Sequence, residues 1–197
     1  MGWIDWQIYY MGIAKAVSAN CKCLSRKIGA ILVNPKNGGI IATGYNGPPM
    51  GTPHCNDIRR EASLLSAVGD RPKLVKAVKN LDIGQLKECP RRPLGFQSGK
   101  GLEICVAGHA ERNAILNAAR NGVKTDGVTM YAYCGRPCKD CCIEIINAGI
   151  RTVVYIRQEQ YYDETSGVLL DQAGIQLYEM IQLEDGSFAR EWKDVTG

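Results

Sequence analysis

The sequence predicts an α/β fold, a three-layer α/β/α arrangement around a central mixed five-stranded sheet. Two observations carry this. Short apolar runs at 28–33, 40–43, 128–133, 153–156 and 175–181 read as strands, and after residue 110 they alternate with helical patterns that stop at Gly122, Gly149 and Gly174. Strands alternating with helices build a sheet covered on both faces. The first two runs are separated only by turn chemistry, 34–39 with Pro35, Asn37, Gly38 and Gly39, so they form a hairpin and make the sheet mixed.

The elements follow in order. Residues 5–19 carry Trp6, Ile8, Tyr9, Ile13, Ala16 and Val17 at helical spacing, with Asp5 as N-cap. After the hairpin comes Gly44-Tyr45-Asn46-Gly47-Pro48-Pro49, read as a loop. Residues 56–104 read as an insertion within a single domain spanning 1–197. Short helices are expected there at 62–68 and 74–81 and a Pro/Arg/Gly-rich loop at 89–101, with too few apolar residues for a core of its own. A helix at 110–121 is stopped by Gly122, a favourable residue just past a helix end. Pro137 fits the first turn of a helix running to about Ala148, and 165–173 is a third helix of this half.

Composition excludes several classes. The chain has 197 residues, 45% apolar and 22% charged, as an ordinary globular protein does. A formal charge of +4 without any Lys/Arg run, and 7% aromatic residues, argue against nucleic acid as a partner. No secretory signal or membrane-spanning run is visible, so the expected location is the cytoplasm, or the host cytoplasm for a viral protein. Nine cysteines in such a chain point to metal ligands or plain thiols rather than a disulfide framework.

The chemistry is concentrated in His109-Ala110-Glu111 and Pro137-Cys138-Lys139-Asp140-Cys141. Alone, His109 would read as a core histidine and a single C-x-x-C as half of a structural zinc site. Together they match the H-x-E…P-C-x-x-C pattern of zinc-dependent nucleobase deaminases. His109 and the two cysteines fall at expected helix starts, where the helix dipole favours thiolate. One imidazole and two thiolates leave the fourth tetrahedral position for water, as in catalytic zinc sites. His109 and Glu111 are about 200° apart on an ideal helix, so Glu111 is expected to reach the water, not the metal. Zinc would bring the water's pKa towards neutrality, and Glu111 would relay its proton to the ring and to departing ammonia. Cys142 reads as a buried thiol and Cys134 as a core residue.

With those residues in view, the sequence resembles the deoxycytidylate (dCMP) deaminases, including those of bacteriophages, within the cytidine deaminase superfamily. Further carriers of the resemblance are Lys27-Ile28-Gly29-Ala30-Ile31-Leu32-Val33, the Gly-Tyr-Asn-Gly of 44–47, His109-Ala110-Glu111-Arg112-Asn113-Ala114-Ile115 and Tyr161-Tyr162-Asp163. Residues 56–104 lie outside it, and Arg112 stands where the family often has Met. The resemblance implies a cytidine-deaminase-like fold and hydrolysis of dCMP to dUMP for thymidylate synthesis. It also implies a homo-oligomer, commonly a hexamer, activated by dCTP and inhibited by dTTP, with Mg2+ assisting the triphosphate. In this numbering, Asn46 would hold the deoxyribose or base, Ala110 would offer backbone to the pyrimidine edge, and Tyr161 would pack near the base. Gly44, Tyr45, Asn46 and Gly47 would contribute to the nucleotide or effector site. Arg26 and Lys27 are candidates for the phosphate on charge and position, against the alternative of solvated basic residues. The family also implies a second, structural zinc, for which Cys23, Cys55, Cys89 and Cys105 are candidates, with His54 as a substitute and four free thiols as the alternative. Action on dCTP as well as dCMP stays open.

Overall fold

The computed structural model describes residues 5–97, 99–158 and 164–196 and divides into two compact units. The first unit takes the described residues within 1–21, 28–46 and 109–197. It opens with helix α1 (Trp6–Ser18), capped by Asp5, whose carboxylate accepts from the backbone N–H of Gln7 (2.9 Å) and Ile8 (3.3 Å). That satisfies two of the donors a helix start leaves unpaired. Then come β1 (Gly29–Val33) and β2 (Ile40–Tyr45). The chain returns to this unit for α4 (Ala110–Arg120), β3 (Thr129–Tyr133), α5 (Lys139–Asn147), β4 (Thr152–Ile156), α6 (Glu164–Gln172), β5 (Gln176–Gln182) and β6 (Phe188–Asp194).

The sheet order is β2-β1-β3-β4-β5-β6. β3, β4 and β5 are mutually parallel, and the other pairings are antiparallel. Among the described residues six strands are present where five were expected. The missed strand, β6, carries charged residues along its length, which an edge strand tolerates. The signal that could have found it is Asp185-Gly186 between two apolar runs. There Asp185 accepts from the Ser187 N–H, and Leu183 N–H donates to Ser187 O at 2.9 Å.

Strand side chains alternate faces, and the two cores follow that alternation. Ala30, Leu32, Met130, Val153, Tyr155 and Leu177 pack with Ala114, Ala118, Ile145 and Leu170 of α4, α5 and α6. Ile31, Val33, Tyr131, Val154, Ile156 and Met180 pack with Tyr10, Met11 and Ala14 of α1. The helices therefore approach opposite faces, giving the expected three layers. Gly44 lets α4 approach β2, since a Cβ there would stand 2.3 Å from Ala114 N and 2.4 Å from Ala110 O.

The second unit comprises 22–27 and the described residues of 47–108. It contains α2 (Arg60–Val68), α3 (Pro72–Lys79) and two short 3-10 turns. Contrary to the sequence reading, this stretch has its own core: Leu64, Val68, Val78, Ile83, Leu94 and Ile104 are buried together. These residues are scattered over some forty positions with no sustained period, so no short window of sequence reveals them. Among the described residues, no helix is long and apolar enough to cross a membrane.

Candidate active site

Two helix starts meet at the carboxyl ends of the central strands. His109 is the N-cap of α4 and Cys138 the N-cap of α5, both in extended conformation, and Cys141 lies in the first turn of α5. Pro137 therefore precedes the N-cap instead of occupying the first helical position expected for it. The His109 Nδ1 atom lies 3.5 Å from Cys138 Sγ and 3.3 Å from Cys141 Sγ, and the three ligand atoms all fall within 4.8 Å of one another. Among the described residues this is the only such group of three. Its donor chemistry, imidazole with two sulfurs, is that of a zinc ligand set with one position left for water.

Electrostatics agree with that chemistry. The Cys138 thiol is pulled down to about 4, chiefly by the hydrogen bond from the Cys141 thiol, with His109 adding to it. Cys141, the donor of that bond and buried, is held well up. His109 is raised, first by its hydrogen bond to Cys138. The pair shares a proton that a divalent ion would displace.

Glu111 occupies the first turn of α4, is 3% exposed and stands outside the ligand group. Burial raises its carboxyl above the ordinary range. Its Oε1 accepts from the Cys134 thiol at 3.7 Å, while its Oε2 is buried with no partner. An orphaned buried carboxylate oxygen is costly unless something fills the space before it; a ligand-bound water or a substrate atom fits that requirement. Cys134, read from sequence as only a core residue, thus touches the carboxylate. Cys142 is buried and donates towards Pro137 O at 3.4 Å, away from the ligand group.

Further contacts fix the two helices. Arg112 forms a two-pronged pair with Glu144 of α5, at 2.7 Å and 2.9 Å, linking the helix of His109 and Glu111 to that of Cys141. Sequence reasoning noted Arg112 only as a departure from the family and missed this role, since the partner lies 32 residues away. On β2, Asn113 and Asn117 of α4 donate side-chain amides to the carbonyls of Tyr45 and Thr43, each at 2.8 Å.

The remaining candidates are placed as follows. Gly44 and Tyr45 belong to strand β2, not to the loop expected there. Gly44 already has a packing reason, because the hairpin's second strand runs two residues further than its apolar run suggested. Asn46 is buried. Its Oδ1 accepts from Ile28 N–H at 2.8 Å, and its backbone carbonyl accepts from the Cys21 thiol at 2.8 Å. Ala110 is fully buried at the start of α4. Gly47 forms a bridge with Gly108, just before His109. Arg26 and Lys27 are exposed in the 22–27 segment of the second unit. Tyr161 lies outside the described residues.

Cys23, Cys55, Cys89 and Cys105 all fall in the second unit. Cys55 is pushed up to about 11, mainly by burial and then by the sulfurs of Cys89, Cys23 and Cys105. The Nδ1 atom of neighbouring His54 is buried without a partner.

A mixed sheet with helices on both faces, three soft ligands at two helix starts and a buried carboxylate beside them defines a zinc-binding hydrolytic enzyme. The chain belongs to the cytidine and deoxycytidylate deaminase family, whose zinc-binding region matches residues 4–157. It is 39% identical to the deoxycytidylate deaminase of Enterobacteria phage T4 over 84% of this chain and 85% of that protein. It is 31% identical to the deoxycytidylate deaminase of Schizosaccharomyces pombe over 93% of this chain, which spans about half (47%) of that longer protein. Among solved structures it resembles the dCMP deaminase of cyanophage S-TIM5 in complex with dCMP and dUMP. That match has a TM-score of 0.60 and 25% identity, covering 91% of this chain and 100% of the other.

Proposed function

We propose that this protein hydrolyses dCMP to dUMP and ammonia at the His109–Cys138–Cys141 centre, with Glu111 as the proton carrier. The observation that carries the reading is the uncommitted, buried Oε2 of Glu111 beside a three-ligand zinc set. The substrate is supported by the phage T4 relative and by the cyanophage protein crystallised with dCMP and dUMP.

A bound zinc ion supplies Lewis acidity that makes water a usable nucleophile near neutral pH. The chain's own groups do the rest. Glu111 accepts a proton from the water and delivers it to the pyrimidine N3. The water oxygen adds to C4, the bond from C4 to the amino nitrogen breaks, and Glu111 passes a second proton to the leaving ammonia. Its raised pKa suits a group that must hold the proton between those transfers. Cys134 and the start of α4 orient it, and the buried Ala110 backbone is assigned to the pyrimidine edge. Asn46 and Tyr161 are assigned to the sugar and base and Arg26 to the phosphate. The 44–47 segment is assigned to an effector.

The same reading treats 1–197 as one deaminase domain with an insertion, working in the cytoplasm as a hexamer. It is switched on by dCTP and off by dTTP, with Mg2+ on the triphosphate, and Cys23, Cys55, Cys89 and Cys105 hold a structural zinc. Ammonia release with dCMP as substrate, alone and with dCTP or dTTP added, and with dCTP as sole substrate, tests the assignment. Turnover of dCMP, opposed responses to dCTP and dTTP, and hexamer mass in solution are expected. Turnover of dCTP would shift the substrate to both nucleotides, and no turnover of either would end the reading.

A further inference from the structure

The β1–β2 ladder exchanges a hydrogen-bonding partner where it ends. Gly29 stands opposite Tyr45, so the next pair of the antiparallel ladder is Ile28 opposite Asn46. In a hydrogen-bonded pair each N–H donates to the other residue's main-chain carbonyl. Half of that pattern is kept, since Asn46 N–H donates to Ile28 O at 3.2 Å. The return bond runs elsewhere: Ile28 N–H donates to the side-chain Oδ1 of Asn46, at 2.8 Å. The asparagine amide stands in for its own backbone, a substitution its short polar side chain permits. Its main-chain carbonyl is thereby released from the ladder. Asn46 is only 6% exposed, and a buried carbonyl needs a donor. The Cys21 thiol supplies one at 2.8 Å.

Helix α1 delivers Cys21 to this point. Cys21 N–H closes on Ser18 O at 3.0 Å, just past the helix end. The helix lies against β1 at Gly29, where a Cβ would stand 2.1 Å from Ala14 O and 2.6 Å from Ser18 N. Cys21 is itself 3% exposed, so little water competes with its weak S–H donor. Two arrangements of Asn46 therefore compete for one donor, the Ile28 N–H. In the observed arrangement Oδ1 holds it, and the plane of the side-chain amide is fixed. In the other, the main-chain carbonyl takes the ladder bond and the side chain is let go. A donor held at the carbonyl favours the first.

We propose that Cys21 is a positioning residue for the deamination. By holding the Asn46 carbonyl out of the ladder, its thiol fixes the side-chain amide that binds the nucleotide. This rests on the assignment of Asn46 to the substrate under the proposed function. What position 21 requires is a hydrogen-bond donor, not sulfur. Cys21 acts through Asn46, so its loss falls on nucleotide binding and leaves the ligands at His109 and the proton carrier Glu111 in place.

The test is steady-state kinetics of the zinc-loaded, full-length protein with dCMP, alongside zinc content and melting temperature. Cys21→Ala is expected to raise KM about 3–10-fold, the worth of one hydrogen bond, with kcat and zinc content near native. Cys21→Ser, which keeps a donor, should restore KM. In Asn46→Ala, adding Cys21→Ala should raise KM no further, because residues acting as one unit are not additive. If Cys21→Ala does not fold, Cys21→Val fills the space without a donor and carries the same comparison. A native KM in the variant lacking the donor would overturn the proposal and leave the deaminase standing. So would a KM that Cys21→Ser fails to restore, a fall in kcat and melting temperature with KM unmoved, or additive effects in the double variant. Native protein that turns over neither dCMP nor dCTP would instead end the functional reading, and the proposal with it.

Discussion

The side-chain amide of Asn113 donates to the backbone carbonyl of Tyr45 at 2.8 Å. Four residues further along α4, Asn117 does the same to Thr43. The two asparagines lie one helical turn apart, and the two carbonyls lie two residues apart on the outer edge of β2. The helix that carries His109 and Glu111 is thereby locked to the sheet, and an edge strand is covered. Gly44, between the two carbonyls, leaves room for the backbone of α4.

Gly44→Ala should therefore be among the more damaging single-methyl additions. Its Cβ would meet backbone atoms that cannot rotate away, so a loss of about 3 kcal/mol is expected, the upper end for overpacking. Asn113→Ala should cost about 1 kcal/mol for its hydrogen bond. Denaturant unfolding of both variants checks the order; equal, small effects would refute the locked-helix account.

Glu111→Gln should lower turnover by at least about 10²-fold, the usual contribution of a positioned proton carrier. Zinc content should stay unchanged, because Glu111 is not in the ligand group. Kinetics alongside metal analysis distinguish the two roles. A variant that loses its metal would make Glu111 a ligand instead.

Prolonged chelation should abolish activity, and Zn2+ should restore it while Mg2+ should not. Two thiolates and an imidazole select soft or borderline ions over hard ones. Below neutral pH the metal should leave more readily, since protons compete for the thiolates. Full activity in metal-depleted protein would contradict the assignment of the centre.

The phenol of Tyr131 is held well above its usual value, first by burial and then by Tyr10 and Asp5, while its hydroxyl donates to Gln7 Oε1 at 2.6 Å. The folded value exceeds the unfolded one. The stability from keeping the phenol neutral is thus fully present below about pH 10, the unfolded value. It is lost as pH rises through the folded value, because the unfolded chain releases its proton first. Melting temperature should fall more steeply above pH 10 in the native protein than in Tyr131→Phe. At neutral pH that variant should lose about 1 kcal/mol with its hydrogen bond. Parallel slopes for the two proteins would refute the linkage.

Much of this was written locally in the chain. His109, Glu111, Cys138 and Cys141 sit in two short motifs, and strand and helix periods are local properties, so the candidate ligand residues, the three layers and Asp5 as a cap were legible from sequence. Other features depend on residues far apart in sequence. Arg112 meets Glu144 only because α4 and α5 pack side by side. Cys134 meets Glu111 only because β3 ends beneath the start of α4. The core of the second unit and the burial of Arg60 and Arg91 arise from scattered residues that no window brings together. β6 was hidden because an edge strand needs only one apolar face. Sequence determined which atoms can bind a metal and move a proton. Tertiary structure decided which of them lose water and so acquire the shifted proton affinities on which the chemistry depends.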